Sequence, residues 1–361
     1  MKVTVITPYD SSNAGAFLQA YCLKRALEKL GCDVCHIPTR DAEYVRGLYY
    51  KEKPTRKKEK LFRWKFEKKK RYGMMNYKKF SEDQRSFRVI SPSEDNADVH
   101  VLGSDEIWNI RQPVFRKDVF WGIEMAPAIS YAASIGSASI EEFEKYPKQI
   151  KAIQKLKTVL VRDERTKELV DKYSSEKAQI VCDPTMLVSV SEYGREFKDE
   201  YVSRNQCLLI YAYTLKKEQI RALKQYARKK GLKTVACCFF HDWCDHQCVC
   251  SPLEFSSLIR QCEAVVTTTF HGSIFSILNH ANFVSVPVSP KTSQLLSQFG
   301  LEHRLLEEAR FSAETLFQVL DGELPDYDEV EEKISRIRQE SVQKLSEALK
   351  SICGEDNGFY L

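Results

Sequence analysis

The sequence predicts an α/β protein built as two successive units with mostly parallel sheets. Three observations carry this. Short apolar, strand-like runs alternate with stretches of helical periodicity. The runs fall into two series, separated by the polar stretch Ser191–Asn205. The length of 361 residues suits two domains of roughly 150 residues each.

Val3–Thr7 opens the first series as a strand. Ala16–Leu30 follows with apolar residues at helical spacing and stops at Gly31, a natural helix end. Val34–Pro38, Asp98–Gly103, Ala128–Ile135, Thr158–Val161 and Gln179–Cys182 supply the remaining strands. Strands joined through helices form parallel sheets covered on both faces. The second series starts with Cys207–Tyr213, followed by the basic amphipathic helix Lys217–Lys230. Thr234–Phe239, Ala264–Thr268 and Phe283–Val288 complete it. The expected division is residues 1–195, with a basic helical insertion at about 45–80, then 196–326. A charged, helically periodic tail over 327–361 is a candidate to pack back on the first domain.

Hydrophobic residues at 43% and charged residues at 29% exclude a largely disordered chain. No apolar run reaches the roughly 18 residues of a membrane-spanning helix. The most apolar stretches, Ile123–Ile135 and Val265–Val288, are broken by Glu124, Pro127, His271 and Asn279. The first residues read as a strand rather than a secretion signal, which predicts a cytoplasmic protein. Twelve cysteines then read as reduced thiols, with Cys182, Cys207, Cys237 and Cys262 as small core residues of strand runs. The net charge of +5 does not mark a nucleic-acid binder. GxGxxG, P-loop and GxSxG patterns are missing.

Lys51–Arg71 carries twelve basic residues against three acidic ones, with Leu61, Phe62, Trp64 and Phe66 interleaved. Three readings compete. It is a solvated helical insertion, a contact surface for anionic lipid or a lipid-linked acceptor at the inner membrane face, or a nucleic-acid surface. The last lacks any recognised module, so no nucleic acid is expected.

Five constellations could carry chemistry. Asn13 and Gly15 sit where the first helix opens, so backbone amides there could hold an anion; equally, Asn13 caps the helix and Gly15 relieves the turn. Gly103-Ser104-Asp105-Glu106-Ile107-Trp108-Asn109 follows a strand, and Asp105 could position or deprotonate a hydroxyl; Ser104 or Asp105 could instead cap a helix. Arg162 emerges from an apolar run and suits bidentate binding of phosphate or carboxylate, or pairs with Asp163 or Glu164. His271 lies at the end of a buried strand and the start of an apolar helix, among Thr267, Thr268, Thr269 and Ser273. A helix N-terminus favours a bound anion there. Finally, Cys237–Cys250 holds five cysteines and two histidines, which reads as a structural zinc site or a cysteine-rich loop beside the cleft.

Taken together, these motifs resemble the polysaccharide pyruvyl transferase family. The matching pieces occur in the family's order: the N-x-G loop at Asn13–Gly15, GSDEIWN at Gly103–Asn109, YAASIG at Tyr131–Gly136 and VRDER at Val161–Arg165. CDPTML at Cys182–Leu187, TTFHGSIFSI at Thr268–Ile277 and SQLLSQFGLEHRL at Ser293–Leu305 follow. The resemblance implies two Rossmann-like domains in a GT-B-like arrangement, with the site between them. It also implies transfer of pyruvate from phosphoenolpyruvate to a saccharide, free or lipid-linked, as a cyclic ketal. Arg162 and His271 match the family's donor-holding Arg and His. Thr269 stands where the family often has a basic residue. On this basis His271 and Asp105 are the expected catalytic residues. Donor contacts are expected from Arg162, Asn13, Gly15, Ser104, Thr268, Gly272 and Ser273. The scheme needs no metal and no cofactor, phosphoenolpyruvate being a substrate. The rival readings are a GT-B-like glycosyltransferase using a nucleotide sugar, and a non-catalytic protein that binds through its basic insertion.

Overall fold

The computed structural model describes residues 1–125, 127–287 and 290–353. Among these residues, eleven strands form two sheets. The first contains β1 (Lys2–Ile6), β2 (Asp33–His36), β3 (Val99–Leu102), β4 (Ala128–Ala133), β5 (Val159–Val161) and β6 (Gln179–Ile180). Their order is β2-β1-β3-β4-β5-β6, every pairing parallel. The second contains β7 (Cys207–Tyr211), β8 (Lys233–Cys237), β9 (His246–Cys248), β10 (Ala264–Thr267) and β11 (Phe283–Ser285). It runs β11-β10-β7-β8-β9, again wholly parallel.

The sequence explains these elements locally. Central strands such as β3 and β4 are buried along their whole length, because helices cover both faces of a parallel sheet. In β7 the alternation feeds two cores: Cys207, Leu209 and Tyr211 face one, Leu208 and Ile210 the other. The helix Ala14–Lys29 starts at the Asn13 cap. The helix Lys217–Lys230 ends at Gly231, whose φ of +67° is the left-handed cap that glycine adopts without strain.

Two differences from the sequence reading stand out. β9 falls inside the stretch read as a cysteine-rich loop or zinc site; its three residues His-Gln-Cys give no apolar alternation. The basic insertion is also more than a solvated helix. It forms the helices Ala42–Tyr49, Lys57–Leu61 and Arg63–Gln84. The last of these lies against the second domain: Tyr72 Oη donates to Cys248 O at 3.1 Å, and Lys79 pairs with Glu254 at 3.0 Å. Asp83 accepts from Leu253 N at 3.0 Å. Its start is open, with Leu61, Phe62 and Trp64 exposed.

The helix Tyr327–Cys353 returns to the first domain. Ser341 Oγ accepts from Cys182 N at 2.9 Å, Arg338 Nε donates to Met186 O at 2.6 Å, and Lys344 Nζ donates to Ile180 O at 2.9 Å. No described helix is long and apolar enough to cross a membrane.

Candidate active site

Loops at the carboxyl ends of parallel strands face a common crevice. Here the loops after β1, β3, β5 and β6 of the first sheet meet the loop after β10 of the second. His271 is the second residue of the helix Phe270–Leu278, which Thr269 caps by accepting from Gly272 N at 2.8 Å. Gly272 is required by close packing: a Cβ there would lie 2.1 Å from Thr267 Oγ1. Gly15, from the other domain, seats the imidazole. A Cβ on Gly15 would lie 2.3 Å from both Cβ and Cγ of His271. His271 therefore lies directly on the first turn of Ala14–Lys29.

Behind the imidazole sits Asp183, in the loop that follows β6. Its Oδ1 accepts from Thr185 N at 3.1 Å and from Thr185 Oγ1 at 2.8 Å. Its Oδ2 accepts from Arg162 Nη1 at 2.7 Å. The same oxygen lies 3.4 Å from His271 Nε2, within ion-pair reach though without hydrogen-bond geometry. Burial pushes the Asp183 carboxyl up. The His271 imidazole, the Arg162 guanidinium and the Thr185 hydroxyl outweigh burial and hold it well below the usual carboxylate range. Burial likewise works against charge on Arg162, but the carboxylates of Asp183 and Asp105 overcome it. The guanidinium stacks on the Phe270 ring, 4.8 Å from its centroid.

Two cavities flank this triad. A cleft of about 370 Å³ is lined by Asn13, Arg40, Asp105, Thr268, His271 and Lys291, among others. A second, of about 490 Å³, is lined by Arg162, Asp183, Phe270, Lys291 and Ser341 among others. Phe270 and Lys291 belong to both walls. Lys291 Nζ lies 5.4 Å from the Phe270 centroid and pairs with Glu106 of the opposite domain.

The structure thus brings His271, Asp105, Asn13 and Thr268 into one cleft, with Arg162 in the adjoining cavity. Asn13 is both cap and interdomain link. Its Oδ1 accepts from Gly15 N at 2.8 Å and from Tyr211 Oη at 2.7 Å, and its Nδ2 donates to Tyr213 Oη at 2.8 Å. Thr268 Oγ1 accepts from Tyr213 N at 3.0 Å. Asp105 Oδ1 accepts from Glu106 N at 2.8 Å.

Four expected donor contacts take other roles. Ser104 is buried with its hydroxyl donated to Gln19, because the chain turns inward after Gly103. Ser273 faces the sheet, where its hydroxyl shares a 2.7 Å bond with Ser285 Oγ. The Gly272 amide is taken by the Thr269 cap. Gly15 makes room for His271, and its amide is bound by Asn13.

Three residues escaped the sequence reading. Asp183 lay inside the CDPTML stretch, where an acidic residue directly after a strand was the available signal. Lys291 and Arg40 carried none beyond their charge.

Among the described residues, one group could hold a metal ion: the ligand atoms of Asp199, His246 and Cys248 lie within 4.8 Å of one another. It takes two residues of the Cys/His stretch and one from outside it. His246 Nε2 is 2.9 Å from Asp199 Oδ2 and the ring stacks on Tyr201. Cys237 and Cys250 are buried in the core instead.

Solved structures share this fold at low identity. A putative UDP-N-acetylglucosamine 2-epimerase from Listeria monocytogenes superposes with a TM-score of 0.57 at 11% identity, covering 99% of this chain and 97% of that one. Arabidopsis thaliana UGT89C1 complexed with UDP gives 0.55 at 12% identity, over 98% and 99%. The UDP-GlcNAc 2-epimerase from Neisseria meningitidis bound to UDP-GlcNAc gives 0.53 at 12%, over 96% and 100%. The architecture is therefore that of GT-B glycosyltransferases and epimerases. No curated protein matches the sequence significantly. The family model for polysaccharide pyruvyl transferase matches residues 13–290, a span that contains Asn13, Asp105, Arg162, Asp183 and His271. With most of its length and its whole interdomain triad inside that match, the chain belongs to the polysaccharide pyruvyl transferase family.

Proposed function

We propose that the protein transfers pyruvate from phosphoenolpyruvate to a saccharide of a surface polysaccharide or its precursor, forming a cyclic ketal. The observation that supports this most is the convergence of His271 and Arg162, from different domains, on the single oxygen Asp183 Oδ2. The buried carboxylate stands behind the imidazole on the side away from the first helix turn's seat, within ion-pair reach of Nε2. His271 then delivers a proton to the methylene carbon of the enol, and the adjacent carbon becomes electrophilic. One sugar hydroxyl attacks that carbon and a second closes the ring. Phosphate leaves with its bridging oxygen, and the two hydroxyl protons are released. Asp105, in the same cleft, orients or deprotonates the acceptor. Lys291 and Arg162, both beside the Phe270 ring, supply positive charge.

The same reading puts the enzyme in a reducing cytoplasm. It is supported by Cys22, Cys182, Cys207, Cys237 and Cys250, which are buried thiols outside any disulfide.

The test is incubation with phosphoenolpyruvate and a panel of glycosides, read as phosphate release together with a matching mass gain on the sugar. A nucleotide-sugar transferase is the competing reading. Thermal stabilisation by phosphoenolpyruvate, and none by UDP or GDP sugars, supports pyruvyl transfer; the opposite pattern supports the competitor.

A further inference from the structure

The cleft contains a cation whose role the triad does not explain. Lys291 is answered by Glu106, and Arg162 is answered by Asp183 and belongs to the neighbouring cavity. Arg40 follows β2 on the wall of the first domain and lines the same cleft as His271. Its side chain is only 7% exposed. Its Nε is buried without a hydrogen-bond partner among the described residues. The nearest carboxylate, Asp10 Oδ1, stands 3.6 Å away and is also unpartnered. The Tyr44 ring lies 6.0 Å from the guanidinium.

A buried guanidinium Nε without a hydrogen bond is costly unless a ligand satisfies it. A structural arginine would be expected to bond its neighbouring carboxylate in a fork, as guanidinium planes do. Arg40 does not. Beyond it, the cleft meets a groove of about 710 Å³ that shares Tyr213 and Leu48 and carries Arg56, Lys58 and Lys69 of the insertion beside the ion pairs Lys51–Glu59 and Lys65–Asp242. That net positive lining favours an anion.

We propose that Arg40 is a phosphate-binding residue of the cleft, backed by Asp10, whose open guanidinium donors receive phosphate oxygens. The phosphate comes from the donor or from an acceptor that carries its own, such as a glycosyl phosphate. This inference stands on the charge of the cleft and is tested by binding, so it survives or fails separately from pyruvyl transfer.

The experiment is calorimetry on the full chain with inorganic phosphate, phosphoenolpyruvate and glucose 1-phosphate. R40A is expected to weaken inorganic phosphate by roughly tenfold to a hundredfold, as for loss of charge-assisted hydrogen bonds. An equal loss for phosphoenolpyruvate assigns the donor's phosphate. An equal loss for glucose 1-phosphate, with phosphoenolpyruvate unchanged, assigns the acceptor's. If R40A does not fold, R40Q keeps the stem packed and decides the case. A wild-type protein that binds no phosphate, or a folded variant of unchanged phosphate affinity, overturns the proposal.

Discussion

Arg162 and His271 follow strands of different sheets, yet Nη1 of one and Nε2 of the other lie 2.7 and 3.4 Å from the same oxygen of Asp183. One carboxylate thus faces both the guanidinium and the imidazole. The triad as a unit carries no large surplus of charge. Its geometry places the carboxylate within ion-pair reach of the imidazole.

Asp183→Asn tests that arrangement through stability. The native carboxyl sits below its ordinary range, so between the folded and unfolded pKa values the unfolded chain binds more protons. The stabilisation is complete above the unfolded value of about 3.9 and is lost as pH falls below it. The melting temperature of the wild type should therefore fall more steeply than that of the variant as pH drops from about 5 toward 3. At neutral pH the variant should be less stable by roughly 3 kcal/mol, because Arg162 is left buried and unpaired. Parallel melting curves against pH would remove the carboxylate from this role.

Gly15→Ala is expected to mimic loss of the histidine. In an ordinary helix the change stabilises by up to about 1 kcal/mol. Here the new methyl would occupy the space of the His271 ring. Turnover should drop about a hundredfold or more in both Gly15→Ala and His271→Ala, the scale of a lost general acid. Circular dichroism should show both folded. Full activity in either variant contradicts the seat assigned to the imidazole.

How much of this was legible beforehand follows from what local sequence encodes. Apolar runs marked the strands, and polar residues at their ends marked Arg162, Asp105 and His271. The direction a side chain takes at a strand end is set by the next turn, so Ser104 and Ser273 turned inward unseen. Asp183 was visible as a residue, but its partners come from two domains whose relation no periodicity records. Lys291 depends on the same relation, since its partner Glu106 lies in the other half. Arg40 looks like any basic residue until its lack of a hydrogen-bonded counter-ion is seen. β9 was missed because three polar-to-neutral residues on an edge carry no strand pattern.

Asn13→Ala should loosen the join between the domains. It removes a helix cap and two cross-domain hydrogen bonds to Tyr211 and Tyr213. A loss of about 1–3 kcal/mol in urea denaturation is expected, cap and bonds together. Tyr213→Phe, which deletes one of those bonds at an exposed position, should lose well under half as much. Equal losses would show that the Tyr213 bond carries the effect and that the cap contributes nothing.

The basic insertion gives the remaining prediction. Its helix Arg63–Gln84 is anchored to the second domain through Tyr72, Lys79 and Asp83, so the exposed start is held in a fixed place. There Leu61 is 76% and Trp64 65% exposed, amid lysines. Apolar side chains in a cationic field bind anionic membrane surfaces, with about 1 kcal/mol from each basic residue near the lipid. The protein should co-sediment with phosphatidylglycerol vesicles and not with phosphatidylcholine vesicles, and added salt should release it. Trp64→Ala combined with Leu61→Ala should weaken this several-fold while leaving phosphate release from a soluble glycoside unchanged. Sedimentation with neither lipid would return this surface to plain solvation, and equal sedimentation with both would remove its charge from the contact.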